Sequence, residues 1–152
     1  MSSSSNLAVQ EGPEGLLLTV RGTITERSEL NAPNVAPGQR VILDPSGVNH
    51  INSLGVRAWI EFLGAVCGRT QDVVIRQLSP ALVLQASMIS TFLGCARVES
   101  FVTPWVCMGC DAEAEKVQAI SDPIPGALPC ATCGGEMELD SDPEAYLAFR
   151  EG

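Results

Sequence analysis

The sequence predicts a mixed α/β domain that is followed by a small cysteine-rich module. Apolar runs with strand character alternate with amphipathic helical segments over residues 7–103, and the chain is 45% hydrophobic but only 5% aromatic, which suits an aliphatic core. Two Cys-x-x-Cys pairs lie in the remaining C-terminal part. Strands that alternate with helices are typical of a mixed, mainly parallel sheet with right-handed crossovers and with helices packed on it.

The predicted elements begin after residues 1–6, a polar serine-rich segment for which we expect disorder. Strands are predicted at residues 7–9, 16–24, 40–44, 72–76 and 97–102, and the last continues through Trp105. Helices are predicted at residues 25–30, 53–66 and 79–94. Asn52 or Ser53 caps the second helix, Ser79 caps the third, and Gly94 ends it. The α/β domain then covers residues 7–103 and the cysteine-rich module residues 104–152.

The cysteine-rich module contains four cysteines in two Cys-x-x-Cys pairs that are separated by residues 111–129: Cys107, Cys110, Cys130 and Cys133. Each pair points two sulfurs at one ion, so together they complete a tetrahedral site that is typical of one structural Zn²⁺. Because the protein fills all four positions, the ion has no open site for water or substrate. We therefore predict a zinc ribbon with β-hairpin knuckles, in which the metal holds the fold.

The net charge of −9 is concentrated in this module, since residues 105–152 hold ten acidic residues and only two basic ones, Lys116 and Arg150. An acidic surface repels phosphate, and binding to nucleic acid requires lysine and arginine to displace counterions. The charge therefore excludes nucleic acid as the expected partner. The sequence also has no apolar run of roughly 18 residues, so we expect no membrane span.

The remaining cysteines, Cys67 and Cys95, each lie in an apolar run, where a free cysteine is usually buried. We expect both to be reduced core residues. Two disulfides among the other four cysteines would need an oxidising compartment, and the N-terminal residues show no signal for export. A thioredoxin-type redox pair usually stands alone. We therefore expect a cytoplasmic protein.

The segment at residues 41–56 resembles the central motif of the STAS family, the anti-anti-sigma-factor antagonists. In that family a hydrophobic strand leads into Asp-Leu-Ser-Gly-Val, and Asp-Ser-x-Gly-Leu then opens a helix. The matching residues here are Asp44, Ser46, Gly47, Val48, Ser53 and Gly55. Asn52 replaces an acid of the motif, and Pro45 replaces its leucine. The resemblance implies a STAS-like fold for residues 7–103, and similar chains that continue into a two-knuckle ribbon occur as small bacterial proteins.

The resemblance implies a protein-binding signalling module without enzymatic activity. In partner-switching members of the family, an anti-sigma-type serine kinase phosphorylates the serine that opens this helix and binds only the unphosphorylated form. By position that serine is Ser53, a candidate phosphorylation site, and the partner surface would comprise Asn52, Ser53, Leu54 and Arg57. A helix N-terminus tolerates a phosphate, which adds about −1.5 to −2 charge and rejects a partner shaped for a bare hydroxyl. The alternative role for Ser53 is a plain helix N-cap.

The sequence also allows a structural role or an enzymatic one to be considered for this chain. As a structural subunit of a larger bacterial assembly, or as a homo-oligomer, the chain would use the ribbon for contacts and would need no phosphorylation. An enzyme is disfavoured because the sequence contains no Gly-rich phosphate loop and no nucleophile elbow. His50, the only histidine, has no neighbouring acid at helical spacing, and we expect it to be a loop residue.

Overall fold

The computed structural model describes residues 6–151, and within them it shows two β-sheets, three α-helices and a C-terminal cysteine cluster. Of the segment predicted to be disordered, residues 1–5 lie outside the described residues. Asn6, in contrast, is ordered: its side-chain amide donates hydrogen bonds to the carbonyl oxygens of Arg21 and Thr23 at 2.8 and 3.1 Å. The predicted disorder is therefore wrong for Asn6.

The first sheet has five strands in the order β1-β2-β3-β4-β5. Their bounds are β1 Leu7–Gly12, β2 Gly15–Ile24, β3 Val41–Ile51, β4 Val73–Ile75 and β5 Arg97–Val98. β1 pairs with β2 in the antiparallel direction, and all the other pairs are parallel. The prediction of a mixed, mainly parallel sheet is confirmed.

Two helices pack on this sheet, α1 at Ser53–Cys67 and α2 at Pro80–Met88. Trp59 and Leu63 of α1 and Leu82 of α2 are fully buried against the strands in one apolar core. The predicted α1 is confirmed almost to the residue. The predicted third helix is confirmed only to Met88, because the chain from residue 89 to residue 96 forms turns. None of the helices in residues 6–151 has the length and apolar character of a membrane span.

The helix predicted at residues 25–30 is wrong, because the structure has a turn and extended chain there. The Thr25 hydroxyl accepts a hydrogen bond from the Arg27 N–H at 3.1 Å, and the Ser28 hydroxyl accepts one from the Thr25 N–H at 2.8 Å. Side-chain hydroxyls that bond to nearby backbone in this way compete with helix formation. An isolated helix of six residues would also be too short for its hydrogen bonds to offset the free-energy cost of nucleation.

Strand β3 is longer than predicted, since it continues through residues 45–51, where we expected a loop. The extension pairs with the second half of β2 through two register shifts. Gly47 permits this close pairing, because a Cβ at this position would lie 2.9 Å from the Cβ of Arg21. His50 is consequently an exposed strand residue opposite Thr23, not a loop residue.

The second sheet is antiparallel and has the strand order β7-β6-β9-β8. Its strands are β6 Ser100–Cys107, β7 Glu113–Ala119, β8 Leu128–Pro129 and β9 Glu136–Leu139. The single strand predicted from residue 97 through Trp105 is therefore two strands that belong to different sheets. The predicted connector at residues 111–129 contains β7, which extends the hairpin of the first knuckle.

The C-terminal residues return to the first core, which the sequence did not predict. Helix α3 at Pro143–Tyr146 places the buried Tyr146 ring in that core, and the Tyr146 hydroxyl donates a 2.6 Å hydrogen bond to the Val102 carbonyl. Burial raises the pKa of Tyr146 well above its usual value. In the 3₁₀ turn at Ala148–Glu151, Phe149 packs edge-on against Phe101 with ring centroids 5.2 Å apart. Residues after the second sheet thus contribute to the first one's core.

Gly55 sets how closely α1 approaches β2. A Cβ at this position would lie 2.1 Å from the backbone oxygen of Ile24, so we expect Gly55→Ala to lower the free energy of unfolding by about 3 kcal/mol in urea denaturation. Gly64, in the same helix, is the matched control: a Cβ there meets nothing within 4 Å. Gly64→Ala should raise stability by about 0.5–1 kcal/mol. Equal effects of the two substitutions would contradict the close approach.

The two helix caps should respond differently to alanine. The Asn52 Oδ1 accepts a 2.6 Å hydrogen bond from the Gly55 N–H, so Asn52→Ala should cost about 1–2 kcal/mol of unfolding free energy. The buried Ser79 hydroxyl forms no hydrogen bond with any residue that the structure describes. Thermal and urea unfolding of Ser79→Ala should therefore stay within about 0.5 kcal/mol of wild type. A cost at Ser79 as large as that at Asn52 would show that its hydroxyl has a partner.

Candidate functional site

The first cysteine knuckle forms where β6 ends. The Cys107 N–H donates to the Ala112 carbonyl at 2.8 Å, and the Asp111 N–H donates back to the Cys107 carbonyl at 2.9 Å. Asp111 has a φ of 63°, so the chain turns through the left-handed region there. This tight turn brings the side chains of Cys107 and Cys110 to the same side.

The second knuckle repeats this geometry after β8. The Cys130 N–H donates to the Gly135 carbonyl at 2.8 Å, and the Gly134 N–H donates to the Cys130 carbonyl at 2.9 Å. Gly134 has a φ of 78° at the position that corresponds to Asp111. The two knuckles therefore have the same fold, although only their cysteines are identical at corresponding positions.

The four cysteine sulfurs come together at the end of the second sheet, all within 4.8 Å of one another. The Sγ atoms of Cys107 and Cys133 are 3.5 Å apart, and those of Cys110 and Cys130 are 3.7 Å apart. Metal–sulfur bonds of about 2.3 Å in a tetrahedral site place sulfurs about 3.8 Å apart. The arrangement thus fits a single metal ion held by four thiolates, as the sequence predicts.

Backbone N–H groups point at the sulfurs. The Gly109 N–H donates to the Cys107 Sγ at 3.3 Å, and the Gly135 N–H donates to the Cys133 Sγ at 3.4 Å. The remaining two sulfurs accept bonds from the backbone at Ala112 and Thr132. These donors favour thiolates over thiols, because hydrogen bonds to the charged form stabilise it. The sequence did not reveal them, although the small residues Gly109, Ala112 and Gly135 at the donor positions are a signal for such close backbone contacts.

The cluster cannot hold four negative charges without a cation. A backbone hydrogen bond from Cys133 is the main cause that lowers the pKa of the Cys130 thiol to about 6. Cys110 accepts a backbone hydrogen bond from Ala112, which lowers its pKa, but the Cys133 sulfur, burial and the other two sulfurs raise it to about 12 overall. A bound divalent cation would remove this conflict, since metal binding displaces the thiol protons.

The metal centre is closed on one side and open on the other. Cys107 and Cys130 are buried beside Trp105 and Met137 in a small second core, whereas Cys110 and Cys133 are exposed. The Trp105 indole N–H donates a 2.8 Å hydrogen bond to the Thr103 hydroxyl, which fixes the ring under the knuckles. A metal ion bound by these four sulfurs would join the ends of β6 and β8 to the start of β9.

The second candidate surface lies at the start of α1, away from the cysteines. Asn52 is the N-cap and Ser53 is the first helical residue, so the proposed role of Ser53 as a helix cap is wrong. Ser53 and Arg57 are exposed, and Leu54 is 51% exposed despite its apolar side chain. Beside them is an open cleft of about 460 Å³ between the end of β3 and the two helices. Its lining residues are His50, Ile51, Asn52, Ser53, Val56, Gln85 and Ile89.

Cys67 and Cys95, which we expected to be reduced core residues, form a disulfide in the structure. Both are half-buried and pack on the edge of the first core. The sequence gave no direct signal, because the two residues are separated by a strand and a helix and meet only when α1 packs against the segment before β5. Free cysteines are thus confined, among the described residues, to the four in the cluster.

Comparison of the chain with protein-family models, with curated proteins and with solved structures gives no match. The fold and the site therefore define the chain as a mixed α/β protein with a C-terminal four-cysteine site that could hold a metal ion.

We predict one metal ion per chain, and loss of that ion in Cys107→Ser or Cys130→Ser, because a hydroxyl is a poor replacement for a buried thiolate ligand. Native mass spectrometry and metal analysis give the stoichiometry. Hydrogen exchange should show residues 107–139 losing protection while the first sheet stays protected. Cys67→Ser is the control and should keep the metal. A metal-free protein with a fully protected second sheet would contradict the assignment.

Proposed function

We propose that this chain is a non-enzymatic protein-binding module whose second sheet is held by one structural Zn²⁺. Four thiolates select soft or borderline metals, and a tetrahedral set of sulfurs is typical of zinc. The observation that carries the binding role is the exposure of Ser53 at the first position of α1, where Asn52 already caps the helix. A serine hydroxyl that the helix does not need for capping is accessible to a partner protein or to a kinase.

The surface around Ser53 suits a reversible protein contact. Leu54 supplies an exposed apolar side chain, Arg57 supplies a positive charge one turn further along, and the cleft toward α2 supplies a concave edge. Apolar anchors with a nearby arginine are common in protein interfaces, where aromatic residues and arginine contribute most of the binding energy. The proposed partner surface therefore comprises Asn52, Ser53, Leu54 and Arg57.

A phosphate on Ser53 would be tolerated by the fold and would change the surface. The first backbone N–H groups of a helix have no partner within the helix, and the helix dipole favours negative charge there. The first turn of α1 contains no acidic residue, so the phosphate would meet no like charge within that turn. Arg57 lies four residues further on, the spacing at which opposite charges on a helix attract. Phosphorylation would thus switch binding without unfolding the chain.

The resemblance to STAS proteins suggests what this partner is. We propose an anti-sigma-type serine kinase or a related regulator, which would bind the unphosphorylated form and be released after it modifies Ser53. In this role the chain performs no reaction itself, and the zinc-bound sheet adds an acidic face to the module. The proposal places the protein in the cytoplasm of a bacterium, where such partner switches act.

A second candidate role is that of a structural subunit in a bacterial assembly. It is favoured by α2, where Leu84 is 43% exposed and Met88 is 72% exposed one turn apart. A permanent contact through these side chains, either with another protein or with a second copy, would not involve Ser53. The two roles therefore predict that substitutions at different residues will weaken binding.

We predict that Ser53→Asp will weaken binding of the natural partner at least about tenfold, or about 1.4 kcal/mol, because it introduces a charge into a surface shaped for a hydroxyl. The free energy of unfolding should not fall, since an acidic residue in the first turn of a helix stabilises it by up to about 1 kcal/mol. Ser46→Asp, an exposed serine in the neighbouring strand, is the control for charge alone. Binding is measured by quantitative pull-down from extracts of the source organism, and phosphopeptide mapping tests Ser53 directly.

The outcomes separate the two roles. Loss of a partner with Ser53→Asp but not with Ser46→Asp supports the switch. Loss with Leu84→Asp or Met88→Asp, and no effect of Ser53→Asp, would overturn the switch in favour of the structural subunit.

A further inference from the structure

The Cys67–Cys95 disulfide joins the last residue of α1 to the segment at residues 89–96, which connects α2 to β5. Their Cα atoms are 5.9 Å apart, and both side chains are half-buried at the edge of the core. Neither the cysteine cluster nor the Ser53 surface uses this bond. It is a separate chemical site in the first domain.

The same face of α1 holds this segment by other contacts as well. Trp59, Leu63 and Cys67 follow one another at four-residue steps, so they form a stripe along the helix. The Trp59 ring stacks on Phe92 with centroids 5.6 Å apart, and its indole N–H donates to the Phe92 carbonyl at 3.0 Å. The segment thus has non-covalent anchors at Phe92, in its middle, and the disulfide at Cys95, near its end. Removing the disulfide would leave Phe92 in place.

We propose that Cys67 and Cys95 form a reversible thiol–disulfide site that exchanges with low-molecular-weight thiols of the glutathione type, and that its reduction loosens residues 93–96 from α1. This inference goes beyond the proposed function and does not depend on it, because the thiol state can be measured without any partner. Because both cysteines are only partly buried, a small thiol can approach the bond more readily than it could approach a fully buried disulfide.

The exchange balances as two successive displacements. A thiolate RS⁻ attacks the Cys95 sulfur, the bond to Cys67 breaks, and its electron pair goes to the Cys67 sulfur. That sulfur already accepts a 3.2 Å hydrogen bond from the Cys95 N–H, which favours Cys67 as the leaving thiolate. A second RS⁻ attacks the outer sulfur of the mixed disulfide, the bond to Cys95 breaks, and RSSR is released while the electron pair goes to the Cys95 sulfur. The two RSH molecules supply the two protons that Cys67 and Cys95 take up.

The two cysteine sites differ in what a thiol–disulfide reagent can do. The sulfurs of Cys107 and Cys133 approach to 3.5 Å, close enough to oxidise, but as ligands of a metal they would be withheld from exchange. The pair at Cys67 and Cys95 has no such protection. Of the six cysteines, Cys67 and Cys95 would therefore exchange with thiols. The four cysteines of the cluster would not exchange while they bind a metal ion.

The part of the segment that the disulfide holds lies after Phe92. Gly94 in this part is next to Leu63 and the Cys67 sulfur, with a φ of 54° that favours glycine. The contacts between Trp59 and Phe92 do not depend on the disulfide, so Ile89 and the cleft that it lines beside Ser53 should be unchanged on reduction.

The zinc-loaded full chain should be equilibrated in glutathione buffers that range from a large excess of the reduced form to a large excess of the disulfide. After acid quenching and alkylation, peptide mass spectrometry gives the redox state of each cysteine. We expect one two-electron transition for Cys67 and Cys95 within this range, a mixed disulfide on Cys95 at intermediate ratios, and retention of zinc throughout. A pair that stays oxidised or stays reduced over the whole range would overturn the proposal.

Hydrogen exchange tests the structural consequence. On reduction, residues 93–96 should lose protection while residues 107–139 keep theirs. The double variant Cys67→Ala/Cys95→Ala should match the reduced wild type and should not respond to reductant. Protection of residues 93–96 that is equal in the oxidised protein, the reduced protein and the double variant would show that the disulfide does not hold these residues and would overturn this part of the proposal.

Discussion

Strand β6 is the element on which both halves of the molecule depend. Its first part supplies Phe101 to the core of the first sheet, and its second part supplies Trp105 and Cys107 to the core under the knuckles. The Val102 carbonyl between these parts accepts the hydrogen bond from Tyr146, so the C-terminal helix is fixed to the same strand. The eight residues of β6 therefore contribute to both cores and connect them.

The second sheet has so small a core that a bound metal ion would add much to its stability. Strands β8 and β9 have only two and four residues, and the core beneath them has four buried side chains. So small a core cannot offset the entropy of ordering its chain, and small domains of this kind usually rely on metals or disulfides. Four thiolates on one ion would supply the missing stabilisation through the knuckles at the ends of β6 and β8.

Register places the charge of the C-terminal module on one side of the second sheet. Val106 pairs with Glu113 on one neighbour and with Glu138 on the other, so both carboxylates share its face. Trp105, next in the strand, faces the small core with Leu139. The four salt bridges among the described residues lie elsewhere, at the edge of the first sheet, where Asp72 bridges Arg40 and Arg97 and has its pKa lowered by them. None of these salt bridges involves Glu113 or Glu138.

The sequence by itself determined the elements whose signals are local. The spacing of the cysteines predicted the four-sulfur cluster, apolar periodicity predicted α1, and runs of aliphatic residues predicted the five strands of the first sheet. Each of these signals lies within one segment, because a helix stripe, a strand run or a knuckle reflects the conformation of a few consecutive residues. The turn at residues 25–30 was missed because side-chain hydrogen bonds there outweigh a weak helical pattern.

Only the tertiary structure decided the features that join distant segments. The Cys67–Cys95 bond depends on how α1 packs against residues 89–96, and the place of Tyr146 depends on the return of the chain from the second sheet to the first. The choice between Asn52 and Ser53 as the cap of α1 was open in the sequence, and the structure gives Asn52. The close contact of Gly55 with the Ile24 carbonyl, in contrast, joins distant segments. Such contacts arise from the distances between elements after folding, and sequence patterns within one element carry no information about those distances.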